Sequence, residues 1–358
     1  MSQFVDYSSI GLHTPLLDVR APIEFGRAHL PGSFNSPILT DIEREEVGIC
    51  YKHRGSAEAE RLGFQLVSGE VKELRVQEWI QIIEKQSVEA LLCWRGGKRS
   101  EIAQGWLREA GYALPRLRGG YKQARHFLTE QLGVLSENLE FLVVEGFTGS
   151  GKTELISSSE LQNGGALNLE GFACHSGSSF GGLFTSQPGQ ATFENAIAHH
   201  LIGIHRSAKR RVLVEDESRL IGKVVIPECL LSTMRSSCAV CVDEPIDVRV
   251  RRIVSTYIRP LFETVHCEEV CRPIEMLLGC LRRIKGRLGG VETARIEDML
   301  TIACHEYLKT NDETLHDGWV EALLRLYYDP RYEYSQSRYP RRCLFRGRLE
   351  EVKEYFLG

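Results

Sequence analysis

Glu140-Phe-Leu-Val-Val-Glu145-Gly146-Phe147-Thr148-Gly149-Ser150-Gly151-Lys152-Thr153 is the stretch on which the fold turns. The apolar run 140–145 reads as a buried strand, and the residues after it fit G-x-x-x-x-G-K-[ST] ahead of a helix-compatible segment. Gly146, Gly149 and Gly151, with Thr148 and Ser150 between them, let backbone N–H groups curl around phosphate oxygens. Lys152 adds a point charge, and the Thr153 hydroxyl can reach a magnesium ion. Such a loop calls for a carboxylate on a neighbouring strand. Val212-Leu213-Val214-Glu215-Asp216-Glu217 supplies it, with Glu215 or Asp216 as the candidate for the metal or its water shell. The motif implies a phosphate-bearing ligand, not ATP or hydrolysis as such.

Working outward, the chain reads as three stretches. Residues 1–132 alternate short apolar runs with helical patterns, the signature of a parallel α/β sheet. The strand-like Pro15 to Val19, the amphipathic helix Trp79 to Lys85, the strand Ala90 to Leu92 and the helix Ser100 to Ala110 mark it. Gly133 to Asn138 reads as a junction. Residues 137–267 form a P-loop α/β domain with strands at 140–145, 211–215 and 240–242, ordered glycine-rich loops at 163–165 and 176–182, and a helix from Ile246 to Val265. Residues 268–358 are mainly helical, with helices from Pro273 to Lys285, Thr293 to Lys309 and Gly318 to Tyr327. They end in a basic tail: Arg331, Arg338, Arg341, Arg342, Arg346 and Arg348 interleaved with aromatic residues.

The 358 residues carry 42% apolar and 26% charged side chains, enough for real cores. Forty-four basic against 48 acidic residues give a net charge of −4, which excludes a bulk polycation but not a local basic patch. The apolar runs fall far short of a membrane span, and Met1 to Ile10 has no basic-then-apolar pattern, so a cytoplasmic protein is expected. Eleven cysteines, an odd number irregularly spaced, are no disulfide framework. Cys238-x-x-Cys241 with His266, Cys267 and Cys271 lacks finger-like spacing, so no metal site is expected there.

One cysteine stands apart. In Leu91-Leu92-Cys93-Trp94-Arg95-Gly96-Gly97-Lys98-Arg99-Ser100 it directly follows an apolar strand and precedes a glycine turn with three cations and a helix. Such a loop aims N–H dipoles and positive charge at the sulfur, the environment that favours a thiolate and binds an anion presented to it. The competing reading is a buried strand-end cysteine beside a solvated basic turn.

At this point residues 1–132 resemble a rhodanese (sulfurtransferase) domain, through Leu17-Asp18-Val19-Arg20, Glu24-Phe25, His29-Leu30-Pro31-Gly32-Ser33, Asn35 and the Cys93 loop. Arg99 lies six residues after Cys93, one more than in single-domain rhodaneses. That C-x5-R-S spacing is similar to dual-specificity phosphatases of the same fold, although Leu92 stands where those have histidine. A larger loop suits a tetrahedral anion better than a lone sulfur atom. A rhodanese-like domain fused to a P-loop domain resembles the bacterial tRNA 2-selenouridine synthase family. The likeness runs through Leu169-Glu170-Gly171, His175, Gly177 to Gly181, Gln187-Pro188, Phe193-Glu194, Val214 to Ser218, Ile221-Gly222, Ile226-Pro227, Arg252 and Tyr257. Ser176 stands where the family's pattern has arginine.

The resemblance implies replacement of sulfur by selenium at C2 of wobble 2-thiouridine in the anticodon arm of tRNA. Selenophosphate is the donor, and an S-geranyl nucleoside made from geranyl diphosphate lies on the route. It implies no tightly bound cofactor and makes a selenophosphate-producing enzyme a partner. On this reading Gly146 to Thr153 hold the diphosphate, and Arg95, Gly96, Gly97, Lys98 and Arg99 hold selenophosphate beside Cys93. Two roles stay open for Cys93, carrying selenium as a selenopersulfide or steering selenophosphate. The cationic track for tRNA would come from Arg210, Arg211, Arg338, Arg341, Arg342 and Arg346. Three rivals are a P-loop kinase or NTPase with a regulatory rhodanese module, a C-x5-R phosphatase, and a non-catalytic tRNA-binding protein.

Overall fold

A computed structural model describes residues 3–12, 14–158, 161, 165–183, 186–263 and 271–357. The chain forms two compact units, residues 1–134 with 188–203, and residues 135–187 with 204–358. The helical stretch 268–358 thus shares a unit with the phosphate loop, while 188–203, which the sequence assigns to the P-loop domain, belongs to the first unit. His266 and Cys267, and most of the glycine-rich stretch 163–165, lie outside the described residues.

In the first unit, β1 (Phe4–Val5), β2 (Leu16–Asp18), β3 (Ser33–Asn35), β4 (Ala90–Leu92) and β5 (Arg116–Leu117) form a parallel sheet in the order β1-β5-β4-β2-β3. Its central strands are short apolar runs with Leu16, Leu17, Leu91 and Leu92 wholly buried, as a sheet covered on both faces requires. Helices Gly69–Gln86 and Lys98–Glu109 turn Trp79, Ile83, Trp106 and Leu107 inward, and the Trp79 and Trp106 rings stack at 6.0 Å. Helix Gln190–Arg206 adds the wholly buried Phe193, Ile197, Ala198 and Leu201 to this unit. Its buried Asn195 donates to the His29 carbonyl at 2.8 Å, and Glu194 pairs with Arg125. The sequence marks 133–138 as a junction, but helix Gly120–Asn138 runs through it. Leu128, Leu132 and Leu135, at helical spacing along it, are each buried.

In the second unit, β6 (Glu140–Glu145), β7 (Ala166–Leu167), β8 (Arg211–Glu215), β11 (Cys238–Val242) and β12 (Cys343–Gly347) are parallel in the order β12-β11-β6-β8-β7; β9 (Leu220–Ile221) and β10 (Val224–Val225) form a separate hairpin. From β6 the chain fills β7 and β8 on one side, then β11 on the other. The phosphate loop therefore emerges at a switch point, where open α/β sheets place ligands. Part of the basic tail becomes the edge strand β12, whose residues stay largely exposed. Helices Cys271–Leu288, Gly290–Thr310 and Asp317–Leu323 pack around Leu277, Leu281, Ile296, Leu300, Trp319 and Leu323. The helix expected at 246–265 contains a five-residue π-helical turn, Val254–Ile258, and the one expected at 318–327 ends in another, Leu324–Tyr328, that runs one residue beyond it. Burial pushes the thiols of Cys241 and Cys304 up to about 11 and about 12, which makes them packing residues. Among the described residues, no helix is long and apolar enough to cross a membrane.

Candidate active site

The phosphate loop leaves the carboxyl end of β6 and enters helix Lys152–Ser157. Gly149 has φ +82°, and a Cβ there would stand 2.9 Å from the Arg249 carbonyl oxygen, so the turn admits only glycine without strain. The loop is held from outside by arginines. Arg249 Nε donates to the Thr148 carbonyl at 2.9 Å while its guanidinium pairs with Asp329, and Arg252 donates to the Gly149 carbonyl at 2.9 Å. Lys152 Nζ is turned back on the loop, donating to the carbonyls of Gly146 (2.5 Å) and Phe147 (3.4 Å). The Gly146 N–H donates to Tyr332 Oη at 2.6 Å, so a tail tyrosine occupies the first amide of the cradle. Ser150 Oγ is buried without a partner.

Carboxylates gather behind Thr153. Its hydroxyl donates to Glu170 Oε2 at 2.7 Å and to Glu215 Oε2 at 3.2 Å, and Glu215 Oε1 accepts the Glu170 N–H at 2.9 Å. Burial first, and the charge of Glu170 second, push the Glu215 carboxyl up to about 8. Glu217 is raised by the same causes, and Glu170 by burial. Of the two carboxylates singled out in the sequence, Glu215 meets the loop. Asp216 is engaged elsewhere, 3.0 Å from Arg341. Glu170 sits in no recognisable metal or catalytic spacing; only the fold brings it to Thr153.

The loop opens on a cavity of roughly 1110 Å³ within the second unit. Polar groups of the loop, Glu170 and Glu217 line one part. Phe180, Ile258, Trp319, Val320, Leu323 and Leu324 line another, and both π-helical turns face it, with Tyr257, Tyr327 and Tyr328. The Tyr328 hydroxyl lies 2.8 Å from Ser179 Oγ. Widened turns of this kind displace side chains from the regular helical register and recur at functional sites.

In the first unit, Cys93 follows the central strand β4 and is 3% exposed. Its Sγ lies 3.3 Å from Ser100 Oγ. The loop rests on the turn Gly119-Gly120: Tyr121 N–H donates to the Cys93 carbonyl at 2.9 Å, and Lys122 N–H to that of Trp94 at 3.0 Å. Gly120 has φ +59°, and a Cβ there would collide with the Cys93 carbonyl and stand 2.5 Å from Gly96 N. Arg95 and Lys98 are exposed; Lys98 contacts Glu60 at 3.3 Å. Arg99 is not a free anion ligand, because it forms a two-pronged pair with Glu24 at 2.5 and 3.1 Å. Beneath lies a fully buried pair, Asp18 with Arg20 at 2.6 Å, over which Tyr121 stacks with the guanidinium 4.2 Å from its ring.

The expected cationic track is dispersed. The Arg341 side chain is 5% exposed, pairing with Glu145 at 2.9 Å and with Asp216 at 3.0 Å. Arg338 lines the cavity, Arg342 is exposed, and Arg346 reaches Asp243 at 3.6 Å. Arg210 and Arg211 sit at the start of β8, with Arg211 in register opposite Glu140. That is the amino end of the strands, a strand length of about 16 Å from the phosphate loop at the carboxyl end.

A family model described as the tRNA 2-selenouridine synthase AAA domain matches residues 139–358. A protein named tRNA 2-selenouridine synthase from Pseudomonas entomophila (strain L48) is 39% identical over 98% of this chain and 95% of its own length. One of the same name from Nitrosomonas europaea is 40% identical over 96% and 94%. The chain belongs to the tRNA 2-selenouridine synthase family. It is therefore a member of an enzyme family, and the alignments with synthases of this family extend beyond the AAA domain through the Cys93 loop. Among solved structures, the N-terminal domain of an ATP/GTP binding protein from Clostridium difficile 630 aligns with 35% of this chain and 97% of its own at 26% identity and a TM-score of 0.30, too slight a likeness to bear on the fold.

Proposed function

We propose that the chain replaces sulfur by selenium at C2 of wobble 2-thiouridine in tRNA, taking selenium from selenophosphate and passing through an S-geranyl nucleoside made from geranyl diphosphate. The relatives' names supply the tRNA and the selenium. The observation that carries the two-step route is the cavity, in which a phosphate loop and an apolar, aromatic wall share one chamber. A diphosphate with a hydrocarbon tail complements both parts.

In the first step the thiocarbonyl sulfur attacks the allylic carbon, the carbon–oxygen bond breaks, and diphosphate leaves into the loop. The N3 proton is released as the C2–N3 double bond forms. Loop N–H groups and Lys152 stabilise the departing charge, so no water is activated. Lys152 must first turn outward from the carbonyls of Gly146 and Phe147, and Tyr332 must release the Gly146 amide. A magnesium ion accompanying the diphosphate would be held by the Thr153 hydroxyl with Glu170 and Glu215 behind it, and would offset leaving-group charge.

In the second step the selenium of selenophosphate adds to C2 and geranylthiolate leaves, taking up a proton; water then attacks phosphorus, the P–Se bond breaks to release phosphate, and N3 is reprotonated as the 2-seleno group forms. Selenium in selenophosphate is already at the selenide level, so this transfer changes no oxidation state. A selenopersulfide on Cys93 would need an oxidant. The Cys93 loop is therefore read as a cradle for selenophosphate, with Arg95 and Lys98 exposed to it and Arg99 exchanging Glu24 for the anion. The rim residues Arg331, Tyr334 and Arg338 offer charge and stacking to the anticodon arm, with Arg342 and Arg346 exposed on the tail nearby in sequence.

Mass spectrometry of wobble nucleosides from a deletion strain complemented with variants tests the proposal. Lys152→Ala is expected to lose both geranylated and selenated nucleosides, and Cys93→Ala to lose selenation while the geranylated nucleoside accumulates. Cys93→Ser separates the two roles, since a cradle tolerates the hydroxyl and a selenium carrier does not. Unchanged 2-selenouridine in the deletion strain would overturn the reading.

A further inference from the structure

Trp319 is 2% exposed, yet it lines the cavity beside Val320 and Leu323, with its ring 6.4 Å from that of Phe180. Its indole N–H donates to Nδ1 of His316 at 3.0 Å. His316 is wholly buried and does not line the cavity; its Nε2 has no partner. Behind it stand Tyr307 and Phe262, with ring centroids 5.1 and 6.1 Å from the imidazole. Neither lines the cavity. Trp319 is thus a partition between the chamber that the phosphate loop opens on and a packed aromatic cluster behind.

A partition can yield or hold, and the hydrogen bond decides which. Rotating the indole would orphan a buried N–H and a buried Nδ1 beside an imidazole that already has one unpartnered nitrogen. Each such loss leaves a buried polar group without a partner, which opposes the rotation. Burial holds the His316 pKa down at about 4, so the ring is neutral and Nδ1 keeps its lone pair for Trp319 across the physiological range. A leucine or methionine at 319 would adapt to a longer guest; a tethered indole does not.

Resting on the reading of the cavity as a prenyl diphosphate site, we infer that Trp319, positioned by His316, sets the length of the hydrocarbon chain that the enzyme accepts. Prenyl chains grow in five-carbon steps. A single methylene in a fixed apolar pocket discriminates by roughly 10–200-fold, so a fixed wall rejects a whole extra unit strongly.

The test measures S-prenylation of a 2-thiouridine tRNA by the purified full chain with C10 and C15 diphosphates in competition, the products being resolved by mass. Wild type is expected to favour C10. Trp319→Leu is expected to move the C15/C10 ratio of kcat/KM by at least about tenfold toward C15. Trp319→Phe, the mildest truncation, should move it less and guards against loss of the fold. His316→Leu leaves the cavity lining untouched but frees the indole, and should shift the ratio in the same direction. His316→Gln, whose carbonyl can accept the indole N–H, should restore it. An unchanged ratio in variants that still transfer C10 overturns the inference alone. Absence of prenyl transfer by wild type overturns the proposed function and the inference together.

Discussion

Replacing Arg341 by alanine is expected to unfold the second unit more readily before it touches any interaction with RNA. The side chain is 5% exposed and lies 2.9 Å from Glu145 and 3.0 Å from Asp216, while its Nε donates to the Met234 carbonyl at 2.9 Å. The two carboxylates are themselves only 9% and 13% exposed, so the variant leaves both buried without a cation. Breaking a buried pair from one side costs about 3–5 kcal/mol. That is a large part of the roughly 5–15 kcal/mol that holds a domain. For a unit of about 200 residues each kcal/mol moves the melting temperature by about 2–4 °C, so a fall of roughly 6–20 °C is expected. The assay pairs calorimetry with tRNA affinity measured across salt concentrations. Arg342→Ala and Arg346→Ala, at exposed positions, should melt within roughly a degree or two of wild type and lower the salt slope by about one for each phosphate that the arginine neutralises. If Arg341→Ala melts like wild type and instead flattens the salt slope, the buried placement of Arg341 is refuted.

The first unit needs residues far along the chain. A fragment of residues 1–134 lacks Phe193, Ile197 and Leu201, each worth about 1.5–3 kcal/mol of burial, and should show no native near-UV dichroism; a cooperatively folded fragment would contradict this. Burial acts to raise the Glu24 carboxyl, but Arg99, the Ala21 N–H and Arg44 outweigh it, so its pKa lies below the ordinary value near 4.5. Glu24 therefore contributes stability that is present above about pH 4.5 and is lost as pH falls through its folded value. Glu24→Gln should flatten that acid limb in pH-dependent melts and, by freeing Arg99, tighten phosphate binding at the Cys93 loop; an unaltered limb counts against the pair. Gly120→Ala drives a Cβ into the Cys93 carbonyl and should abolish selenation while leaving geranyl transfer intact, as nucleoside analysis would reveal.

How much of this was legible in the sequence depended on whether the signal was local. Strand, loop and helix at 140–157 are contiguous, and periodicity with glycine spacing specifies them. The Cys93 loop is local in the same way. Helix Gln190–Arg206 falls in the range 137–267 that the sequence assigns to the P-loop domain, because which core an apolar helix face fills is a matter of tertiary packing. The tail misled for a related reason. Composition counts Arg341 as a surface cation, whereas its partners lie about 200 and 125 residues upstream at Glu145 and Asp216. Arg99 likewise looked like a free anion ligand because Glu24 is 75 residues away. The apolar wall was not legible at all: Phe180, Ile258, Trp319 and Leu323 come from separate segments, and only folding makes them one surface.

The central claim is that the phosphate loop serves a hydrocarbon diphosphate and not a nucleotide. The direct measurement incubates the purified chain with a 2-thiouridine tRNA and geranyl diphosphate, without ATP or selenophosphate, and follows both products. Release of one diphosphate per S-geranyl-2-thiouridine formed is the predicted result, with both products lost in Lys152→Ala. A requirement for ATP, or nucleotide turnover indifferent to tRNA with no geranylated nucleoside, would contradict the account.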